Sequence, residues 1–476
     1  MQTTSLKFRQ LASQALANKT LRAALDDVER IMPVIRNSAL DQLENPEALF
    51  DQASASRDRT LAELDVYLEA FEQKVQQLGG HVHWAADGTE AREIIANICE
   101  SVGARTVTKS KSMVTEEIEL NAFLESRDMT VVETDLGEYI IQLRGERPSH
   151  ILAPALHVTL SEVADTFHRH HDLERASPLR EPTEMLLEAR AVLRDRFLSA
   201  DVGITGANFL VSETGGVVIV TNEGNADLTA SLPDTHIVVT GIEKIVPTLE
   251  DAGLMLRLLA RSAAGQRLST YTTLIHGPRR AKDPSGPSNF HVVLLDNGRS
   301  DMLGTQFQEM LRCIRCSACI NHCPVYTAVG GHAYGSVYSG PMGAVLTPGL
   351  AGLHAAAHLP NASTFCGRCE EVCPVRIPIP KMLRYWRDRE FERRMTPRAV
   401  RYGLGWWTRL NSSLHIYRYL LGIAARLLRV LSSRGWITRL PGPGHAWTRY
   451  RDMPTPAGQT FQQQWRRTRG RAGEAK

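Results

Sequence analysis

The chain has 476 residues, 43% hydrophobic and 22% charged, with a formal net charge of +3. That length suggests two or three domains, and the balance suits a soluble globular protein rather than a disordered or fibrous one. No run of eighteen uncharged apolar residues occurs, and the N-terminus carries early charges without an apolar stretch, which argues against a spanning helix and a secretory signal. Cytoplasmic residence is the expectation.

Residues 1–74 are rich in Ala, Leu, Gln, Asp, Glu and Arg, and LAELDVYLEAFEQKV (61–75) carries a 3.6-residue apolar stripe. They predict a helical N-terminal extension. The texture then alternates: a strand at GHVHW (80–84), a helix through EAREIIANIC (90–99), a strand at RTVT (105–108), a helix from Thr115, and a strand at TVVET (130–134). Strand and helix in turn imply a parallel sheet with crossover helices. Further β-rich runs stand at HILAPAL (150–156), VVIVTN (217–222), HIVVTG (236–241) and FHVVLLD (290–296), with a long helix across PTEMLLEARAVLRDRF (182–197). One α/β domain over 75–300 accounts for them. Within it, Lys109 and Lys111 stand where a strand meets a helix and offer an anion site. Thr115 followed by Glu116 and Glu117 reads equally as an N-cap with first-turn acids, and this reading is preferred. The glycine-rich segment 203–225 makes no dinucleotide or phosphate-loop fingerprint. As the wall of a small-molecule pocket it would offer Glu223 and Asn225.

The turn NGRS (297–300) closes that domain, and residues 301–312 read as a helix leading into the cysteines. Seven of the eight cysteines fall in CIRCSACINHCP (313–324) and CGRCEEVCP (366–374). The first run matches the bacterial ferredoxin pattern, in which three thiolates wrap one cubane and the fourth, beside a proline, ligates the other. By that crossing, Cys313, Cys316, Cys319 and Cys373 hold one 4Fe-4S cluster, and Cys323, Cys366 and Cys369 hold the second. The second is one thiolate short, because Ser363 stands where a full motif has its first cysteine. A 3Fe-4S cluster, oxygen ligation from Ser363 or water, and a partner-supplied ligand compete. Zinc is disfavoured, since four cysteines within eleven residues are too compressed for paired zinc hooks. Cys99, alone in an apolar helical stretch, reads as a buried small hydrophobe. His322 and His332 lie near the clusters and are candidates for tuning them, though packing roles are commoner. The glycines of GGHAYGSVYSGPMG (330–343) suggest a tight loop beside a cluster.

The module of 301–390 gives way to a basic helical region, 391–476; from Lys381 onward there are about twenty Lys and Arg against about five Asp and Glu. Arg418, Arg426 and Arg429 share one face of a helix with leucines opposite. That face suits an anionic membrane surface, a partner, or simple packing with solvated arginines. No nucleic-acid motif accompanies it.

SKSMVTEEIELN (110–121), ETDLGEYIIQL (133–143), the 203–225 segment, the 330–345 loop and both cysteine runs together resemble the lactate utilization protein B family, over nearly the whole chain. The resemblance implies a LUD domain with a sugar-isomerase or CoA-transferase-like fold over 75–300, followed by an α-helical ferredoxin-like two-cluster module. It implies the same two ligand sets, with Ser363 leaving the last ligand of the second cluster open. It also implies two partners, a cysteine-rich subunit like those of heterodisulfide reductases and a smaller LUD protein. An electron-transfer subunit of an L-lactate oxidising system, without a catalytic residue assigned in this chain, is the resulting expectation. The alternatives are a LUD domain that binds a carboxylate or CoA in its own right, and a membrane-peripheral adaptor delivering electrons to quinone.

Overall fold

A computed structural model describes residues 3–171, 179–449 and 451–473. The ten strands of the first compact unit, residues 1–389, are β1 (His81–Ala85), β2 (Thr106–Lys109), β3 (Thr130–Glu133), β4 (Val202–Thr205), β5 (Phe209–Val211), β6 (Gly216–Thr221), β7 (Thr235–Gly241), β8 (Ile245–Val246), β9 (Tyr271–Ile275) and β10 (Asn289–Leu295). Six form a parallel sheet in the order β1-β10-β7-β4-β2-β3. Alternation along the strands loads both faces. Ile237 and Val239 of β7 and Val293 and Leu295 of β10 pack with Ala91, Ile95 and Cys99 of the helix Gly88–Ser101. Val238, Val292 and Leu294 face the other way, onto Leu68, Phe71 and Val75 of the helix Leu64–Gln77. Each such side chain, fully buried, contributes about 1.5–3 kcal/mol of transfer free energy, so the two-sided sheet is the main store of stability in this domain.

The parallel sheet with crossover helices is as the alternation implies. The sequence anticipates β6 but not the smaller mixed sheet it belongs to, β8-β5-β6-β9, whose other strands are short and, in β9, largely exposed. Two expectations fail for local reasons. HILAPAL (150–156) is not a strand: the His150 ring accepts the amides of Leu152 and Ala153 at 3.0 and 3.2 Å, which curls the backbone. Residues 301–312 are not one helix but two 3₁₀ turns, Ser300–Met302 and Gln308–Arg312, separated by Gly304 in the left-handed region.

The N-terminal helices lie against both the sheet domain and the cysteine module. The buried Arg57 of the helix Pro46–Ala62 donates to the carbonyls of Glu243, Ile245 and Leu311. Arg36 and Arg22 of the helix Lys19–Leu40 donate to the carbonyls of Val372 and of Thr327 and Ala328. A buried ion network joins the module to the sheet: Arg299, fully buried, bridges Glu117 at 2.7 Å and Glu243 at 2.8 Å, Tyr338 donates to Glu117 at 2.6 Å, and Arg315 reaches Glu243 at 3.2 Å.

The second unit, residues 390–476, holds the helices Arg398–Asn411, Leu414–Val430 and Phe461–Gly473 and a two-stranded ribbon pairing Trp436–Ile437 with Met453–Pro454. The helix Arg398–Asn411 buries no residue, and Tyr402, Trp406 and Trp407 stand exposed on it. No helix among the described residues is long and apolar enough to cross a membrane.

Candidate iron-sulfur centre and adjoining cavity

The two cysteine runs are tight turns followed by single helical turns, Ala318–Asn321 and Arg368–Glu371. Arg315, Ser317, Phe365 and Arg376 all take positive φ, between 52 and 62°. Such backbone is uncommon for non-glycine residues and folds the chain back around whatever the cysteines enclose. Cys313, Cys316, Cys319 and Cys373 line one small cavity with Ile314, Ile320, Met342 and Ile377. Cys373 therefore joins the first run rather than its own neighbours. The amides of Arg315 and Ile377 point at the sulfurs of Cys313 and Cys373, each at 3.4 Å. On the other side, Cys369 is influenced mainly by Cys323 and Cys366 once burial is counted. Burial lifts the Cys316 and Cys369 thiols to about 12 and Cys373 to about 11. Ligation requires thiolate, so filling these sites displaces protons.

The donor set fits iron-sulfur clusters. Three buried polar atoms in the module have no hydrogen-bond partner among the described residues: Ser317 Oγ, His322 Nε2 and Tyr334 Oη. Burial raises the Cys323 thiol, and the Tyr334 hydroxyl, which lies beside it, opposes that only slightly and misses hydrogen-bond geometry. Cluster sulfides and coordinated thiolates are acceptors that would satisfy the Ser317 and Tyr334 hydroxyls, whereas His322, whose Nδ1 donates to the Ala318 carbonyl, presents Nε2 as an acceptor. Among the described residues no three His, Cys, Asp or Glu side chains converge as a single metal ion needs. Cys366 is exposed, and Ser363 Oγ accepts the Phe365 amide at 3.1 Å. His332 is committed to the Arg147 carbonyl at 2.7 Å, and His322 Nδ1 to that of Ala318 at 2.8 Å. Cys99 is buried in the sheet domain, away from the cysteine module.

At the carboxyl ends of β2 and β4 a cavity of about 350 Å³ opens, lined by Lys111, Asp135, Asn208, Glu223, Asn225 and Lys244 among others. Glu223 and Asn225 thus face one space, as the glycine-rich segment suggested. Burial, then Asp135, raises the Glu223 carboxyl, which accepts the Leu136 amide at 3.1 Å. Gly203 serves packing instead: a Cβ there would meet the Thr229 carbonyl oxygen at 1.8 Å. The helix start is capped by Ser112, which accepts the Thr115 amide, and not by Thr115. Lys109 is no anion site, being buried between Glu133 at 2.7 Å and Glu116 at 3.2 Å. Lys111 pairs with Asp135 at 3.4 Å and the Leu152 carbonyl at 3.0 Å. Sequence reasoning missed Lys244 altogether, because a lysine following β7 carries no motif; burial, then Arg315, pulls it down to about 8.

The LUD domain family matches residues 68–295, the 4Fe-4S dicluster domain residues 309–377, and the family described as Lactate utilisation protein B, C-terminal, residues 392–470. Among curated relatives, Lactate utilization protein B of Anoxybacillus flavithermus is 43% identical over 99% of both chains, and that of Bacillus subtilis 42% identical over 95% of both. The chain belongs to the lactate utilization protein B family. Members of this family from Geobacillus thermodenitrificans align as fully, at 43% identity over 98% of each chain. A duf162 family protein from Deinococcus radiodurans aligns over 49% of this chain and 98% of its own at 16% identity, with a TM-score of 0.27. The dicluster match makes the module an iron-sulfur one, and its span, 309–377, holds all seven clustered cysteines.

Proposed function

We propose that the chain is the electron-carrying subunit of an assembly that oxidises L-lactate to pyruvate, with two clusters held by Cys313, Cys316, Cys319 and Cys373 and by Cys323, Cys366 and Cys369. The convergence of Cys373 with the first cysteine run on one cavity supports the ligand sets, and the relationship to lactate utilization proteins supports the substrate. When bound, the clusters supply one-electron carriers. The chain's own residues set the surroundings. Ile314, Ile320 and Met342 keep water from the first site. Arg36 and Arg315 place positive charge near its thiolates, which favours the reduced state. Full occupancy predicts about seven to eight irons per chain in anaerobically prepared protein, with broad visible absorption that bleaches on reduction. Stoichiometric zinc without that absorption would overturn the reading.

The chain has no nicotinamide or flavin fingerprint, so catalysis is assigned to partners: a cysteine-rich subunit resembling those of heterodisulfide reductases and a smaller LUD protein. Alone, with an artificial electron acceptor, it is expected not to turn over L-lactate. Steady turnover by the isolated polypeptide would move the catalytic centre into this chain. The exposed aromatic and arginine side chains of 390–473 support a docking role for that unit, either on these partners or on an anionic membrane. Binding to phosphatidylserine vesicles that disappears at high salt would select the membrane.

A further inference from the structure

A second cavity, of about 1000 Å³, lies between the sheet domain and the loop 331–337. Its inner wall is short of hydrogen-bond donors. Glu138, 4% exposed, and Glu133, 2% exposed, line it with Asn121, and Glu138 Oε1, Glu133 Oε2 and Asn121 Oδ1 have no partner among the described residues. All three orphan atoms are acceptors. Leaving such oxygens buried and unbonded is costly, and Glu133 ends β3, the carboxyl edge at which ligands of open parallel sheets bind. The lining is also acidic, holding Glu116, Glu119, Glu125, Glu133, Glu138 and Glu146. Lys109 is shared by Glu116 and Glu133, Arg147 stands 3.9 Å from Glu119, and Arg144 and the His157 ring engage Glu146. With histidines neutral, six glutamates against three cations leave three negative charges, or two where Glu138, raised by burial and then by Glu133, keeps a proton. We propose that this cavity binds an aliphatic di- or triammonium ion, its ammonium groups on Glu138, Glu133 and Glu125.

The layout of the acids selects an extended organic cation over a metal ion. Among the described residues no three His, Cys, Asp or Glu side chains converge on one point, as a dehydrated metal site needs. The carboxylates are spread instead. Glu125 stands exposed at the end of the helix Leu120–Glu125, while Glu138 is buried in the first turn of the helix Leu136–Arg144. Two or three ammonium groups on a flexible chain meet such a spread, whereas a single ammonium leaves most of the charge unbalanced. Leu11 and Val337 offer the methylenes an apolar surface, and the volume is ample for a small-molecule site. The facing wall, which includes Gly331, His332 and Ser336, belongs to the loop whose Tyr334 lies beside Cys323. A bound polyamine therefore ties the sheet domain to the cysteine module.

The test is calorimetric titration of the full chain with spermidine, 1,4-diaminobutane, n-butylamine and magnesium chloride, in about 150 mM salt to screen loose surface attraction. One spermidine per chain is expected, with diaminobutane weaker, butylamine weaker still and no saturable heat from magnesium. Glu138→Gln should lower spermidine affinity by about tenfold or more. Should that buried variant not fold, Glu125→Lys decides: the position is exposed, and its reversed charge should weaken spermidine about fivefold. Glu69→Lys, equally exposed but outside the cavity, should leave the affinity unchanged, which separates a site from general attraction to an acidic surface. Absence of saturable spermidine binding, tighter binding of magnesium, or a loss in Glu69→Lys as large as in Glu125→Lys would each overturn the proposal. Iron content is measured separately, so such a failure leaves the electron-transfer reading standing.

Discussion

Cys373→Ala is expected to abolish the first cluster and spare the second, although Cys373 stands only four residues from Cys369. The cavity it shares with Cys313, Cys316 and Cys319 makes it their partner in space. Removing it leaves three thiolates and a largely apolar wall in which the Ser317 hydroxyl is the one side-chain oxygen, a poor substitute for a thiolate, so iron retention at that site should collapse. The second site, already one thiolate short in sequence, should behave as in the wild type. Mild oxidation should give it a 3Fe-4S EPR signal of about one spin per chain at most. Ser363→Cys should suppress that signal if residue 363 reaches the cluster. If Cys373→Ala instead removed the oxidation-sensitive signal and left the other cluster intact, the crossed ligand sets would be wrong.

Arg299→Met is expected to cost about 3–5 kcal/mol of stability, as for a buried pair broken from one side. Glu117 would remain buried without its cation, Glu243 would keep only Arg315, and Tyr338 would donate to a carboxylate that has lost its counter-charge. The pH dependence gives the sign. Arg299 and its neighbours overcome burial and hold Glu243 down at about 2 and Glu117 below the usual value of 4.5. Depressed carboxylates contribute stability above pH 4.5 and lose it as pH falls toward their folded values. In the variant the carboxylates prefer to be protonated, so the deficit should be largest at neutral pH and shrink toward pH 4.5. Urea midpoints at several pH values measure this. Adding Glu117→Gln and Glu243→Gln should recover part of the loss. An unchanged midpoint for Arg299→Met at pH 7 would show that the network does not join the module to the sheet.

The features legible in the sequence are those with a period or a spacing. β7 and β10 alternate their faces, the helix Gly88–Ser101 shows its apolar stripe, and the two cysteine runs carry fixed intervals. HILAPAL (150–156) misleads because apolar composition is not conformation: the His150 ring competes for the amides that a strand would need. The helix expected over 301–312 breaks at Gly304, whose left-handed φ no composition announces. Lys244 and Arg299 were invisible for a different cause. Their meaning lies in neighbours brought from the turn after β7, from the helix Met113–Glu117 and from the module, and a single sequence does not encode those distances in any local pattern.

The four non-glycine residues with positive φ beside the cysteines bear on how the cell handles the protein. Each costs about 1–3 kcal/mol and persists only where its surroundings over-determine it. Before iron and sulfide arrive, these turns lack the ligand bonds; Arg315 and Arg376 keep their ion pairs with Glu243 and with Glu47 and Asp51, which leaves the turns at Ser317 and Phe365 the freer to loosen. Cys366, already at the surface, marks one such opening. Proteases cut loosened segments. Iron supply would thus govern how long the polypeptide lasts as well as whether it conducts, and a culture starved of iron should clear this protein faster than one that is replete.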